Sequence, residues 1–161
     1  MMGEYAYNMG LVDYQERSKV EQIIINATFQ EQRKLWDDLH KTFEQVLGTI
    51  SRAAGGINVY DITKFHEYPD VLIGTYLEST EAKVIYKFND QIEYGMQQGN
   101  VYEALYTDFM IPYTHLVEDL LSRKIYVMVY NGQNDLIVET PGTFKWVERI
   151  HYSHAAEFRY L

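Results

Sequence analysis

Residues Ile125-Tyr126-Val127-Met128-Val129-Tyr130 run for six positions without a polar alternation, bounded by Arg123-Lys124 on one side and Asn131-Gly132 on the other. An unbroken β-favouring run of that length predicts a strand buried on both faces, the usual state of a strand in the middle of a parallel sheet covered by helices. Such a strand needs a neighbour on each edge, and no second run of comparable quality occurs in the 161 residues. Either the sheet is completed by other sequence, or the run is not a strand.

The flanks favour the sheet. Pro112 suits the first turn of a helix that would turn Leu116, Val117, Leu120 and Leu121 inward. On the far side Thr140-Pro141 predicts the start of another helix, with Phe144, Val147 and Ile150 inward. Helix, buried strand, polar loop and helix make one unit of an open α/β sheet.

The rest of the chain is predominantly helical. Between Asp13 and Ala54, Val20, Ile23 and Ile24 share a face, and after a break Trp36, Leu39, Phe43, Val46, Leu47 and Ile50 recur at spacings of three and four. Thr28-Phe29-Gln30-Glu31 has the form of a capping box and predicts the start of the second helix, which Gly55-Gly56 would end. This is a helical hairpin. Residues 57–80 have no clear period, and 57–68 read as a loop with at most a short extended piece. A short helix is expected over residues 81–88 and a longer one over 100–110, with Val101, Leu105 and Phe109 on its inner face.

Composition narrows the function. A content of 47% apolar and 15% aromatic residues describes a folded chain with a core. A formal charge of −9 leaves no basic face for phosphates, so nucleic acid and anionic membranes are poor partners. With no cysteine there is no disulfide framework, cysteine zinc site or thiol nucleophile. No stretch approaches the length of about 20 apolar residues that a membrane span requires. Met1-Met2-Gly3-Glu4-Tyr5 lacks the basic and apolar regions of a signal peptide, so none is expected in this chain.

In open parallel sheets the loops at the carboxyl ends of strands carry the chemistry, which directs attention to Asn131-Gly132-Gln133-Asn134-Asp135. A carboxylate there can accept the Nδ1 proton of a histidine, fix its tautomer and stabilise the imidazolium. A turn aspartate beside Asn-Gly is the alternative reading. His151 and His154, spaced by three, read as a surface pair or a polar turn, because two ligands do not make a zinc site. Asn26-Ala27-Thr28 is a glycosylation sequon. The 15 tyrosines could line a cleft, although core packing is the commoner use.

The segment from Val129 through Asn131-Gly132-Gln133-Asn134-Asp135 to Val138, followed by Lys145-Trp146-Val147, resembles the region around the triad aspartate of serine carboxypeptidases, which have the α/β-hydrolase fold. The similarity leans towards the animal branch that includes the retinoid-inducible and vitellogenic-like enzymes. It extends upstream through Val117-Glu118-Asp119-Leu120-Leu121, Asp108-Phe109-Met110 and Gly56-Ile57-Asn58-Val59-Tyr60-Asp61 to Tyr7-Asn8-Met9-Gly10-Leu11. It implies that Asp135 is the acid of a Ser-His-Asp triad and that residues 1–110 are mostly a helical cap. Residues 111–161 would then be part of the α/β core.

The resemblance also implies what to look for and not find. None of Ser18, Ser51, Ser79, Ser122 or Ser153 stands in a G-x-S-x-G elbow. In this fold the histidine follows the acid in the chain, so it is expected after residue 161. The expectation is therefore an internal piece of a serine-type carboxypeptidase, inactive alone and without a cofactor. Its parent would act on peptide or protein C-termini and be secreted or lysosomal, with Asn26 as a glycan site. The competing expectation is a non-catalytic helical interaction module derived from such an enzyme.

Overall fold

Asp13, rather than Thr28, does the capping in the long helical stretch. In the computed structural model, which describes residues 1–66, 71–96 and 98–159 (71 by its backbone only), the first helix, α1, covers Met2–Asn8 and the second, α2, Tyr14–Gln32. Asp13 has extended backbone, and its Oδ1 accepts the amide of Glu16 at 2.8 Å, as an N-cap should. Thr28 lies inside α2, where its hydroxyl donates to the Ile24 carbonyl at 3.1 Å. The capping-box reading is therefore corrected: its pattern is present, but Thr28 has no free amides to cap.

The break falls six residues further on. Lys34 adopts φ +58°, and the amides of Lys34 and Leu35 donate back to the carbonyls of Glu31 and Gln30. That pair of bonds is a Schellman stop built on a lysine. The third helix, α3, then runs over Trp36–Ala53 and ends the same way at Gly55, whose φ of +82° suits glycine. The stop at Gly55-Gly56 is as expected.

α1, which no periodicity announced, packs across the hairpin. A Cβ on Gly3 would sit 2.9 Å from Val20 Cγ1, so only glycine permits this approach. Tyr5, Ala6, Val12, Val20, Val46, Ile50, Ile57, Ile62 and Leu136 form the core. The last member comes from the loop that carries Asp135, joined to the hairpin across more than 70 residues of chain.

Outside that core the elements are short and wet. α4 (Val71–Leu77) falls in the stretch read as aperiodic, and α5 (Thr80–Tyr86) is the expected short helix, capped by Ser79. The helix expected over 100–110 is divided into α6 (Gly99–Leu105) and a 3-10 turn, Asp108–Met110, and the face expected inward is exposed at Val101, Leu105 and Phe109. α7 spans Thr114–Ser122, so Pro112 precedes the helix rather than opening it, and Leu116 and Leu120 are exposed. α8 is Thr140–Arg149 with Pro141 in its first turn; Thr140 is inside the helix, Glu139 occupies the cap position, and Phe144 is exposed while Ile150 is buried. α9 covers Ala155–Arg159.

The expected buried strand is absent. Residues 125–130 form no ladder, and Met128, Tyr126 and Tyr130 are 68%, 86% and 87% exposed. Among the described residues the only β-pairing is an isolated bridge between Asn58 and Asp61. The physical reason is the missing edge: an extended backbone gains no hydrogen bonds without a neighbouring strand to receive them. The apolar side chains that face α7 and α8 still line a groove of about 420 Å³, with Val127 and Val129 opposite Val117, Leu121, Phe144 and Val147. Residues 57–66 are irregular, as expected; the remainder of that predicted loop, 67 and 68, lies outside the described residues. No helix among the described residues is long and apolar enough to cross a membrane.

Candidate active site

Asp135 sits on a loop tied down from both ends. At its start Asn131 points Nδ2 at the carbonyls of Gly132 and Val138 and at the Thr140 hydroxyl, while the Thr143 hydroxyl donates to its Oδ1 at 2.7 Å. Thr140 also donates to the Gly132 carbonyl at 3.2 Å. The Asn-Gly that reads as a turn in the sequence thus forms one unit with the first turn of α8.

Deeper in the loop the partners come from residues 57–62. The Val59 carbonyl accepts the amides of both Leu136 and Ile137, at 3.0 and 3.1 Å, and the Ile62 amide donates to the Asn134 carbonyl at 3.0 Å. Leu136 is 0% exposed, packed among the core residues. The Tyr5 hydroxyl of α1 donates to the Gln133 carbonyl at 3.1 Å. Gln133, Asn134, Leu136 and Ile137, two residues on each side of Asp135, are therefore held by hydrogen bonds to their main chain or by core contacts.

The carboxylate itself is half-buried. One oxygen, Oδ1, accepts the Val138 amide at 2.9 Å; among the described residues no other donor reaches the group. Its charge is felt nearby. Burial, followed by the field of Asp135 and of Glu139, raises the Tyr5 phenol above its ordinary value. Glu139 is likewise raised, first by burial and further by Asp135, against lowering by its own backbone, the N-terminal amine and Lys145. The region carries two neighbouring carboxylates, and the expected triad calls for a histidine as the partner of Asp135.

None of the histidines supplies it. His40 is 2% exposed, stacked on the Tyr106 ring, with Nδ1 at 2.6 Å from the Tyr106 carbonyl and Nε2 at 2.9 Å from the Tyr102 hydroxyl. His151 follows α8, and both its amide and its ring donate to Glu118, at 2.7 and 3.1 Å, which holds that carboxyl below its usual range. His154 pairs with Glu157 at 3.1 Å, and His115 stands against the Tyr113 ring. His151 and His154 thus engage different carboxylates, and no group of three His, Cys, Asp or Glu side chains is placed to hold a metal among the described residues. Asn26 is exposed on α2, within a helix rather than on a loop.

The Val59 contacts were not legible in the sequence. A signal for the turn does exist: Asn58-Val59-Tyr60-Asp61 places two Asx residues around a bend, a pattern that closes on its own backbone. Nothing in it says which distant loop the freed carbonyl will meet.

A family model described as serine carboxypeptidase matches residues 1–161. The chain is similar to the retinoid-inducible serine carboxypeptidase of Homo sapiens, 28% identical over 194 residues that take in 99% of this chain and 41% of that protein. The Rattus norvegicus protein of the same name is 26% identical over the same shares. Serine carboxypeptidase-like 51 of Arabidopsis thaliana is 37% identical over 71 residues, covering 44% of this chain and 15% of that protein. The chain spans about two fifths of the length of the retinoid-inducible relatives it matches.

Proposed function

We propose, since the chain belongs to the serine carboxypeptidase family, that it supplies the acid-bearing part of a serine-type carboxypeptidase of α/β-hydrolase fold. Residues 1–110 would be mostly helical cap and 111–161 part of the core, with 125–130 completing a sheet whose other strands lie in other sequence. The enzyme would be secreted or lysosomal, with Asn26 available for a glycan, and its substrates would be peptide or protein C-termini.

In this reading the serine attacks the carbonyl of the last peptide bond while the histidine takes its proton. The histidine then protonates the departing amine, releasing the C-terminal residue and leaving an acyl-enzyme that water hydrolyses. Asp135 accepts Nδ1–H of that histidine. It keeps the imidazole in the productive tautomer and offsets the charge that develops on it. The serine and the histidine come from sequence other than these 161 residues, because no G-x-S-x-G occurs here, the histidine of this fold follows the acid in the chain, and His151 and His154, which do follow Asp135, are engaged with Glu118 and Glu157.

The observation that carries the reading is the state of the carboxylate. Val138 holds one oxygen of a carboxyl group whose neighbours are pinned on both sides, and among the described residues the other oxygen meets no donor. That is an acceptor held in place for a partner. In the complete enzyme Asp135→Asn is expected to lower turnover by roughly 10⁴ with folding intact, since the amide presents an N–H where an acceptor is needed. Steady-state kinetics with a blocked dipeptide checks this, with Asn134→Ala as control. A larger loss from Asn134→Ala than from Asp135→Asn would remove Asp135 from the triad. The 161-residue chain alone is expected to show no turnover above background, as loss of nucleophile or base costs on the order of 10⁶.

A further inference from the structure

We infer that Asn58 is a positioning residue for Asp135, acting through the Val59 carbonyl. The inference rests on the reading of Asp135 as the triad acid and assigns the device that aims it.

Three bonds of Asn58 shape the turn. Its amide donates to the Lys64 carbonyl at 2.8 Å, its Nδ2 donates to the His66 carbonyl at 2.9 Å, and its Oδ1 accepts the Tyr60 amide at 2.8 Å. The side chain is buried and uses both of its chemical ends, so it reads as a bracket rather than a surface polar group. By taking the Tyr60 amide into an Asx turn, Asn58 fixes the peptide plane between Val59 and Tyr60. That plane carries the oxygen on which the amides of Leu136 and Ile137 converge.

Two amides on one carbonyl fix the direction of the chain leaving Asp135, and the Asn134 carbonyl, held by Ile62, fixes its direction on entry. With entry and exit set, the Asp135 side chain has a defined starting point, and Oδ1 meets the Val138 amide three residues on. Buried Ile57 and Ile62 flank the turn and anchor it in the same core as Leu136. The charged group of the C-terminal part is thereby oriented by a polar bracket between α3 and α4. A carboxylate misaimed by even about 1 Å loses much of its value as an orienting partner, which gives Asn58 a role at a distance from the chemistry.

The test uses the 161-residue chain carrying Tyr126→Lys and Tyr130→Lys, at two highly exposed positions, to suppress association through the unpaired segment. The Val138 amide proton shift should follow ionisation of Asp135, and the Glu16 amide should follow Asp13 in the same way as an internal control. Asn58→Ala is expected to reduce the pH-dependent amplitude at Val138 to less than about half, leave Glu16 unchanged, and speed exchange of the Leu136 and Ile137 amides at least about tenfold. Asn58→Ser keeps an acceptor for the Tyr60 amide and loses the His66 bond, so an intermediate amplitude is expected. An unchanged Val138 amplitude in Asn58→Ala overturns the inference. If Asn58→Ala also loses protection at Val46 and Ile50 and so unfolds, Asn58→Ser decides, and a wild-type amplitude there overturns it. None of these readouts depends on catalysis, so a failure of Asp135→Asn to reduce turnover would refute the triad reading while leaving the bracket standing.

Discussion

Glu139 pays for its position beside Asp135. Burial and its neighbour's charge raise its carboxyl above the ordinary range, so folding binds a proton in the interval between the unfolded and folded values. The associated stability is complete below the unfolded carboxylate pKa and is lost as pH rises through the raised folded value. Replacing the group by a neutral isostere removes that loss. Glu139→Gln is therefore expected to raise the melting temperature at about pH 7 and leave it nearly unchanged at about pH 4. Thermal unfolding at the two pH values checks it; a variant less stable at neutral pH would mean the charge is used where it stands. Glu118 behaves in the opposite sense: its lowered carboxyl contributes stability above the unfolded value, lost as pH falls through the folded one.

At the scale of the element, the helix ends show how one chemical pattern serves two purposes. Asp13 caps α2 because its own backbone is extended and the amide of Glu16 has no carbonyl to meet. Thr28 has the residue type and spacing of a cap, but the amides beyond it already have helical partners. Asp13→Ala should consequently cost about 1 kcal/mol, and Thr28→Ala less than about 0.5 kcal/mol in either direction. Urea denaturation of both variants would measure the contrast, and equal losses would restore a boundary at Thr28. The stops at Lys34 and Lys124 belong to the same class: each has positive φ and a Schellman pair of amides without glycine. Their apolar spacing and composition carry no mark of a terminus, so a search for glycine passes over them.

For the molecule as a whole, order is concentrated in α1 to α3 with the 57–62 and 131–138 loops, where the core residues lie. Residues 125–130 stand outside it, and their apolar side chains and backbone without a ladder are a template for edge association. In the unmodified chain, hydrogen exchange is expected to be fast at Val127 to Val129 and slow at Val46, Ile50 and Leu136. Sedimentation should show association that grows with concentration and weakens in Tyr126→Lys with Tyr130→Lys. Strong protection across Val127 to Val129 in a monodisperse monomer would show that the segment finds its partner within these 161 residues.

Local signals were readable wherever the determining contacts are close in the chain. The 3.6-residue spacing of Val46 and Ile50, the Gly55-Gly56 stop, the short helix after Ser79 and the Asn-Gly turn before Asp135 all follow from backbone sterics and neighbouring side chains. The family also showed itself in the residues around Asp135, and the match over residues 1–161 bears it out. The fate of 125–130 did not, because a β-favouring run states a capacity for pairing and the neighbour that would satisfy it is a separate piece of chain. The same holds at the site. Asp135 can be picked out by its motif, whereas the meeting of Val59 with Leu136 and Ile137 depends on how α1 to α3 close over one core, and hydrogen bonds between residues more than 70 positions apart leave no period or spacing to read.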